Sequence, residues 1–110
     1  MHLPSSTALY NLEASGKLFL EVFRHGSLTV ELYQPKEIDY QTPHDRDEVY
    51  VIVSGSGDFV LDGIRSRFLP GDFIFVAAGK PHHFENFTSD FSTWVLFYGP
   101  KGGEEIQAEG

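Results

Sequence analysis

The chain has 110 residues, the length of one folded domain, and its 8 Lys and Arg against 16 Asp and Glu give a formal net charge of −8. This acidic balance argues against binding to nucleic acid or to an anionic membrane surface. The sequence contains no cysteine, which excludes disulfides and thiolate ligands, so a bound metal would need histidine, carboxylate, amide or hydroxyl ligands.

The two ends of the chain are predicted to be loose tails, over residues 1–6 and 103–110. The start, MHLPSST, lacks the basic segment and apolar core of a signal peptide. No apolar run approaches the roughly 18–20 residues of a membrane helix, so we expect a cytoplasmic protein. One helix is predicted, over 6–15. No repeat or linker divides the sequence, which predicts a single domain over 1–110.

The rest of the chain consists of short apolar runs separated by turn signals. The turns lie at 24–27, 54–57, 62–63, 70–72, 78–81 and 87–90. Short strands at this spacing predict an all-β fold of about eight antiparallel strands, in a sandwich or a barrel. Four aromatic residues are expected to pack the barrel: Phe75, Phe84, Trp94 and Phe97.

A histidine and a glutamate, His44 and Glu48, precede one of these apolar runs. Residues four apart in an extended strand are about 13 Å apart, so the two side chains can meet only if 45–47 forms a turn. Glu48 would then open a strand in which it shares a face with Tyr50 and Ile52. A carboxylate on that face is costly to bury alone, and a metal or other cation would compensate it. A solvated surface loop is the competing interpretation of the charged segment.

A second stretch, AAGKPHHFEN, contains two adjacent histidines. Because neighbours in a strand point to opposite faces, only one of them can face such a site. His82 shares its face with Phe84 and Asn86, and His83 would then point outward. Taken alone, His82 fits a hydrogen-bonded core residue better than a ligand.

Together these stretches resemble the two motifs of the cupin superfamily, G-x5-H-x-H-x3,4-E-x6-G and G-x5-P-x-G-x2-H-x3-N. The resemblance covers residues 42–86, and the turn at 70–72 introduces the second motif as in the family. The residues that agree in spacing are His44, Glu48, Gly55, Gly79, His82 and Asn86.

This resemblance implies a double-stranded β-helix, the jelly-roll barrel of cupins, which is often dimeric, so a homodimer is expected. It also implies a divalent metal ion inside the barrel (Zn, Fe, Mn or Ni), held by His44, Glu48 and His82. Two imidazoles and one carboxylate leave coordination positions open for water or substrate.

Two positions depart from the motifs. Thr42 stands where the first motif histidine is expected, and its hydroxyl is a poor ligand, so the site should bind metal more weakly than a four-ligand site. Gln41 is a candidate fourth ligand if the chain bulges before Pro43, although strict alternation points Gln41 away. Ala77 replaces a motif proline, a mild change because Pro81 can stiffen the same turn.

Three kinds of function remain open at this point. An enzyme would use the metal for Lewis-acid or oxygen chemistry on a small molecule, as the superfamily's oxygenases, isomerases and cyclases do, with Tyr50 as a candidate acid or base. A binding module would hold a small ligand without turnover. A structural dimer would carry a vestigial metal site. No nucleic-acid or membrane partner is expected in any of these cases.

Overall fold

The computed structural model describes residues 1–105 as one helix followed by eight strands. Helix α1 spans Ser5–Ser15, and the strands are β1 (Phe19–His25), β2 (Leu28–Tyr33), β3 (Asp47–Ser54), β4 (Gly57–Leu61), β5 (Ile64–Phe68), β6 (Phe73–Val76), β7 (His82–Glu85) and β8 (Ser92–Tyr98). All strand pairs are antiparallel. The prediction of an all-β fold with about eight strands is therefore confirmed.

The strands form two sheets that share one interior. The larger sheet has the order β1-β2-β8-β3-β6 and the smaller has the order β5-β4-β7. Residues from both sheets pack into one buried cluster, which includes Tyr50 of β3, Phe59 of β4 and Phe84 of β7. Strand β3 carries Glu48 and strand β7 carries His82. The two strands thus face each other from opposite sheets.

Helix α1 covers the outer face of the larger sheet. Its two buried residues, Ala8 and Leu12, are four apart and so lie on one side of the helix, where they pack against Leu32 of β2. The helix ends where Gly16 adopts the left-handed conformation (φ 70°) and its N–H bonds the carbonyl of Glu13. The larger sheet is therefore buried on both faces near β2, whereas a sheet in a simple barrel is buried on one.

Two of the four aromatic residues predicted to pack the barrel lie outside its interior. Trp94 packs with the cluster beneath α1 rather than inside the barrel. Phe75 lies on the edge strand β6 and is 44% exposed, because its neighbour Val76 points into the interior and Phe75 therefore faces outward. Phe84 and Phe97 pack in the interior as predicted.

The chain ends differ in part from the predicted tails. The helix begins at Ser5, inside the segment 1–6, and the amides of Thr7 and Ala8 bond the carbonyl of Pro4. Near the other end, the Glu104 amide donates to Asp47 at 2.8 Å, and residues 106–110 lie outside the described residues. Among residues 1–105, no helix has the length and hydropathy needed to cross a membrane. The single-domain boundaries, the homodimer and the cytoplasmic location stay predictions.

Candidate metal centre

The three predicted metal ligands converge in the structure. One ring nitrogen each of His44 and His82 and one carboxylate oxygen of Glu48 all lie within 4.8 Å of one another. Glu48 is the second residue of β3 and His82 is the first of β7, and both are buried, while His44 is half-buried just before β3. The three side chains are close enough to hold one ion. That they bind a metal stays a prediction.

Backbone and side-chain contacts fix the segment that carries His44. The Gly79 amide donates to the His44 carbonyl at 2.7 Å, which ties this segment to the loop that leads into β7. The chain bends at 45–46, and the carboxylate of Asp47 accepts from the Ala78 amide at 2.9 Å. A bend at 45–46 takes the place of the turn predicted over 45–47, because Asp47 already belongs to β3, and the two side chains still come close together.

The carboxylate of Glu48 is buried without a hydrogen-bond donor. The residue is 1% exposed, and neither oxygen has a hydrogen-bond partner among the described residues. Nε2 of His82 lies 2.7 Å from Oε1, without the alignment of a hydrogen bond. Two atoms that bind one ion at about 2.1 Å lie roughly 3 Å apart. The spacing and the missing donors both fit a shared cation, because a buried carboxylate left without a partner is costly.

The ring of His82 is oriented so that Nε2 faces this point. Nδ1 lies 2.8 Å from the carbonyl oxygen of Lys80, which can only accept, so Nδ1 carries a proton and a neutral ring leaves the lone pair on Nε2. This is the usual arrangement of a metal-binding histidine. Burial alone lowers the pKa of His82, but the Glu48 carboxylate and then the Lys80 carbonyl outweigh it, and the pKa is raised overall.

Tyr50 and Gln41 lie next to the three ligands. The hydroxyl oxygen of Tyr50 is 3.0 Å from Nε2 of His82 and donates to Oε1 of Gln41 at 2.8 Å. Nε2 of Gln41 donates in turn to Asp39 at 2.6 Å. Burial, and then the charge of Glu48, raise the pKa of Tyr50 well above its ordinary value. Gln41 therefore faces the site, and its role as a fourth ligand stays a prediction.

A cavity of about 750 Å³ opens beside His44. Its wall includes Tyr33, Tyr40 and Phe97, so a small organic molecule would meet aromatic surface there. The cavity also contains the carboxylate of Glu31, half-buried on β2. Burial, followed by the charges of Glu21 and Glu48, raises the pKa of Glu31.

Sequence reasoning missed two acidic residues of this region. Glu31, which lines the cavity, is not among the residues that the sequence motifs single out. Apolar and polar residues alternate over 28–32, which places Glu31 on the face opposite to the leucines, but the pattern does not say which face of β2 points inward. Asp39 carried no signal, since it lies in a segment outside the regular strands.

Comparison with known proteins gives one family match. The family model Cupin_2, a cupin domain, matches residues 29–98. The protein SCO3923 of Streptomyces coelicolor is 30% identical over 90 residues, which cover 80% of this chain and 86% of SCO3923.

A second relative has a named activity and a solved structure. The dimethylsulfoniopropionate lyase DddQ of Ruegeria pomeroyi is 33% identical over 70 residues, 62% of this chain. Its crystal structure superposes with a TM-score of 0.58 and 31% identity, over 68% of this chain and 40% of that chain. The sequence match covers 35% of DddQ, so this chain spans about a third of that protein.

A third comparison concerns the fold alone. The crystal structure of a cupin superfamily protein from Desulfitobacterium hafniense has a TM-score of 0.62 at 17% identity, and the match covers 74% of this chain and 75% of that chain. The eight-stranded architecture is thus that of a cupin barrel, as the sequence motifs implied.

Proposed function

Because the chain belongs to the cupin family, we propose that it is a metal-dependent enzyme that acts on a small organic molecule inside its barrel. The observation that carries this proposal is the convergence of His44, Glu48 and His82 on one buried point. Imidazole nitrogen and carboxylate oxygen suit Zn²⁺ or Fe²⁺, and three ligands leave positions open. A divalent ion there would supply Lewis acidity, which stabilises negative charge that develops on a substrate oxygen.

A side chain of this protein would remove a proton from the substrate. Glu31 is the base that we assign, because its burial and then the negative charges of Glu21 and Glu48 raise its pKa, and a carboxylate with a raised pKa is a stronger base. Tyr50, the acid or base predicted from sequence, keeps its proton because burial and Glu48 raise its pKa. That disfavours Tyr50 as the base.

The inner face of the larger sheet sets the distance between base and metal ligands. Glu31 pairs with Val95, and Val95 pairs with Tyr50 on the next strand. Two strand spacings are about 10 Å, so a molecule of a few carbon atoms would bridge the region of the ligands and Glu31. The aromatic wall of the cavity would exclude water around it.

Elimination is the reaction type that we propose. In such a reaction a base removes a proton from the carbon next to a carboxylate or carbonyl group, a carbon–carbon double bond forms, and the leaving group departs from the β-carbon with its electron pair. A positive charge near the carboxylate or carbonyl oxygen stabilises the negative charge that develops there. Glu31 and an ion on the candidate ligands would supply this pair of requirements, and Glu31 and His44 line the same cavity. The similarity to a dimethylsulfoniopropionate lyase supports the same reaction class.

Metal analysis tests the first part of the proposal. Protein stripped with EDTA, incubated with Zn²⁺ and passed through a desalting column is expected to retain about one ion per chain. His82→Ala should lose it. His83→Ala is the matched control, because His83 is adjacent in sequence but its side chain is 39% exposed and contacts Glu85. Zinc retained by His82→Ala, or lost equally from both variants, would contradict the proposal.

A turnover assay tests the second part. Zinc-, iron- and manganese-loaded protein is incubated with dimethylsulfoniopropionate and with other small carboxylic acids that carry a leaving group at the β-carbon, and substrate loss is followed by proton NMR. We expect turnover of at least one compound, reduced about 100-fold or more in Glu31→Gln while bound metal is unchanged. Saturable binding with no turnover would refute the enzyme and favour a ligand-binding module.

A further inference from the structure

Asp39 is a buried carboxylate that accepts four hydrogen bonds. It is 8% exposed. Its donors are the Tyr33 hydroxyl at 2.6 Å, the Phe84 amide at 2.9 Å, the Gln41 amide at 3.3 Å and Nε2 of Gln41 at 2.6 Å. Tyr33 belongs to the larger sheet and Phe84 to the smaller. Asp39 is therefore held in place from both sheets.

The orientation of the Gln41 side chain follows from this carboxylate. A carboxylate oxygen accepts and cannot donate, so the group of Gln41 that faces Asp39 must be the amide nitrogen. The amide oxygen is then turned toward Tyr50, 2.8 Å from its hydroxyl oxygen. Because a carbonyl oxygen only accepts, the hydroxyl of Tyr50 must donate to it.

The direction of that hydroxyl matters for His82. Tyr50 has a single hydroxyl proton, and its oxygen lies 3.0 Å from Nε2 of His82. Without Gln41, the proton could turn to that nitrogen and form a hydrogen bond with its lone pair. The same lone pair is what a metal ion requires, since Nδ1 is engaged with the Lys80 carbonyl.

We infer that Asp39 is a positioning residue for the metal centre: through Gln41, it keeps the Tyr50 proton away from Nε2 of His82 and leaves that nitrogen free for the ion. This inference rests on the proposed function, because it takes His82 to be a ligand. Asp39, Gln41 and Tyr50 would then act together to keep Nε2 of His82 free, and none of the three is a motif residue of the family.

The test measures the affinity of the metal-free protein for Zn²⁺ alone, by calorimetric titration. Asp39→Asn offers one acceptor oxygen in place of two, so Gln41 loses its fixed orientation and zinc affinity should fall about tenfold. Gln41→Met removes the acceptor for the Tyr50 proton and should lower affinity to a similar extent. Asp58→Asn, the same chemical change on the exposed side of β4, is the control and should bind zinc like the wild type.

The decisive variant is Tyr50→Phe, placed in each of these backgrounds. If the Tyr50 proton is the competitor, Asp39→Asn/Tyr50→Phe and Gln41→Met/Tyr50→Phe should regain zinc affinity to within about twofold of Tyr50→Phe alone. Should Asp39→Asn not fold, NMR exchange of the Gln41 side-chain amide provides the second measurement. In Tyr50→Phe those hydrogens should stay protected from solvent, because Asp39 alone holds them.

The outcomes separate this inference from the proposed function. A wild-type protein that binds no zinc overturns both. Wild-type binding with unchanged affinity in Asp39→Asn and Gln41→Met overturns the role of Asp39 and leaves the metal site intact. The same holds if Tyr50→Phe fails to restore affinity, or if the Gln41 amide hydrogens exchange freely in Tyr50→Phe.

Discussion

At the scale of single residues, the carboxylates of Glu48 and Glu31 lie in one barrel but differ in burial and in neighbouring charges. Glu48 is fully buried and close to His82, where a cation would recover the cost of removing its charge from water. Glu31 is half-buried and lines the cavity, near other negative charges. The first is suited to hold an ion, and the second is suited to take up a proton.

Glu48→Gln is expected to have opposite effects without and with metal. In EDTA the substitution should stabilise the protein by about 1 kcal/mol, because a neutral amide replaces an unpaired buried charge and can donate to Nε2 of His82. In zinc, the wild type should gain stability and Glu48→Gln should not. Urea unfolding at equilibrium measures both. A variant less stable than the wild type in EDTA, and stabilised by zinc to the same extent, would contradict this.

The raised pKa of Glu31 predicts how the free energy of unfolding depends on pH. Its pKa in the folded protein is raised above the ordinary value of 4.5, so the folded state holds its proton more tightly than the unfolded state does. The resulting stability is present below pH 4.5 and is lost as pH rises through the folded pKa. Glu31→Gln removes this dependence, so the stability of the variant relative to the wild type should increase between pH 4 and pH 7.5. Urea unfolding at the two pH values checks it, and a constant difference would exclude it.

At the scale of elements, two glycine turns illustrate different requirements. Gly63 in the β4–β5 hairpin has a φ of 80°, and nothing lies within 4 Å of where a Cβ would be. Gly55, between β3 and β4, also has a φ of 80°, but a Cβ there would lie 2.5 Å from Cα of Phe91. The turn at Gly63 needs glycine for its backbone angle alone, whereas the turn at Gly55 also needs it for packing.

Alanine at these two glycines should therefore differ in cost. Gly63→Ala is expected to lower the free energy of unfolding by about 1 kcal/mol, from the left-handed backbone. Gly55→Ala should lower it by about 3 kcal/mol or more, because the backbone at Phe91 must also shift. Each variant is compared with the wild type by urea unfolding. Equal losses would mean that the close approach at Gly55 is relieved without cost.

At the scale of the whole molecule, the candidate ligands connect the two sheets. Glu48 belongs to β3 of the larger sheet and His82 to β7 of the smaller, while His44 lies in the segment before β3. An ion held by all three would be a cross-link between layers that otherwise associate through side-chain packing. Binding would then contribute directly to the stability of the barrel.

Zinc is accordingly expected to raise the melting temperature, and EDTA to reverse the rise. At free zinc about 100 times the dissociation constant, binding to the folded state alone adds about 2.7 kcal/mol. The effect should be absent in His82→Ala and present in His83→Ala. Scanning calorimetry measures it. A rise of equal size in His82→Ala would show that zinc binds elsewhere.

Much of the fold and site could be predicted because the signals were local. Turn residues and β-branched runs delimit short strands, and the period of two in a strand groups Glu48 with Tyr50 and separates His82 from His83. The resemblance to the two cupin motifs then joined two distant stretches. Strict alternation failed for Gln41, because residues 39–46 do not form a regular strand, and the chain turns its amide toward Tyr50.

By itself, the sequence determined the strand pattern and the turns that need glycine, since each depends on residues close together in the chain, while the three candidate ligands came from the resemblance to the cupin motifs. Only the tertiary structure decided which face of β2 points inward: helix α1 covers its apolar face, which directs Glu31 into the cavity. It also decided that Asp39 meets Phe84 and Gln41. Those contacts join distant segments, and hydrogen-bond donors find a particular acceptor only after the two sheets have packed.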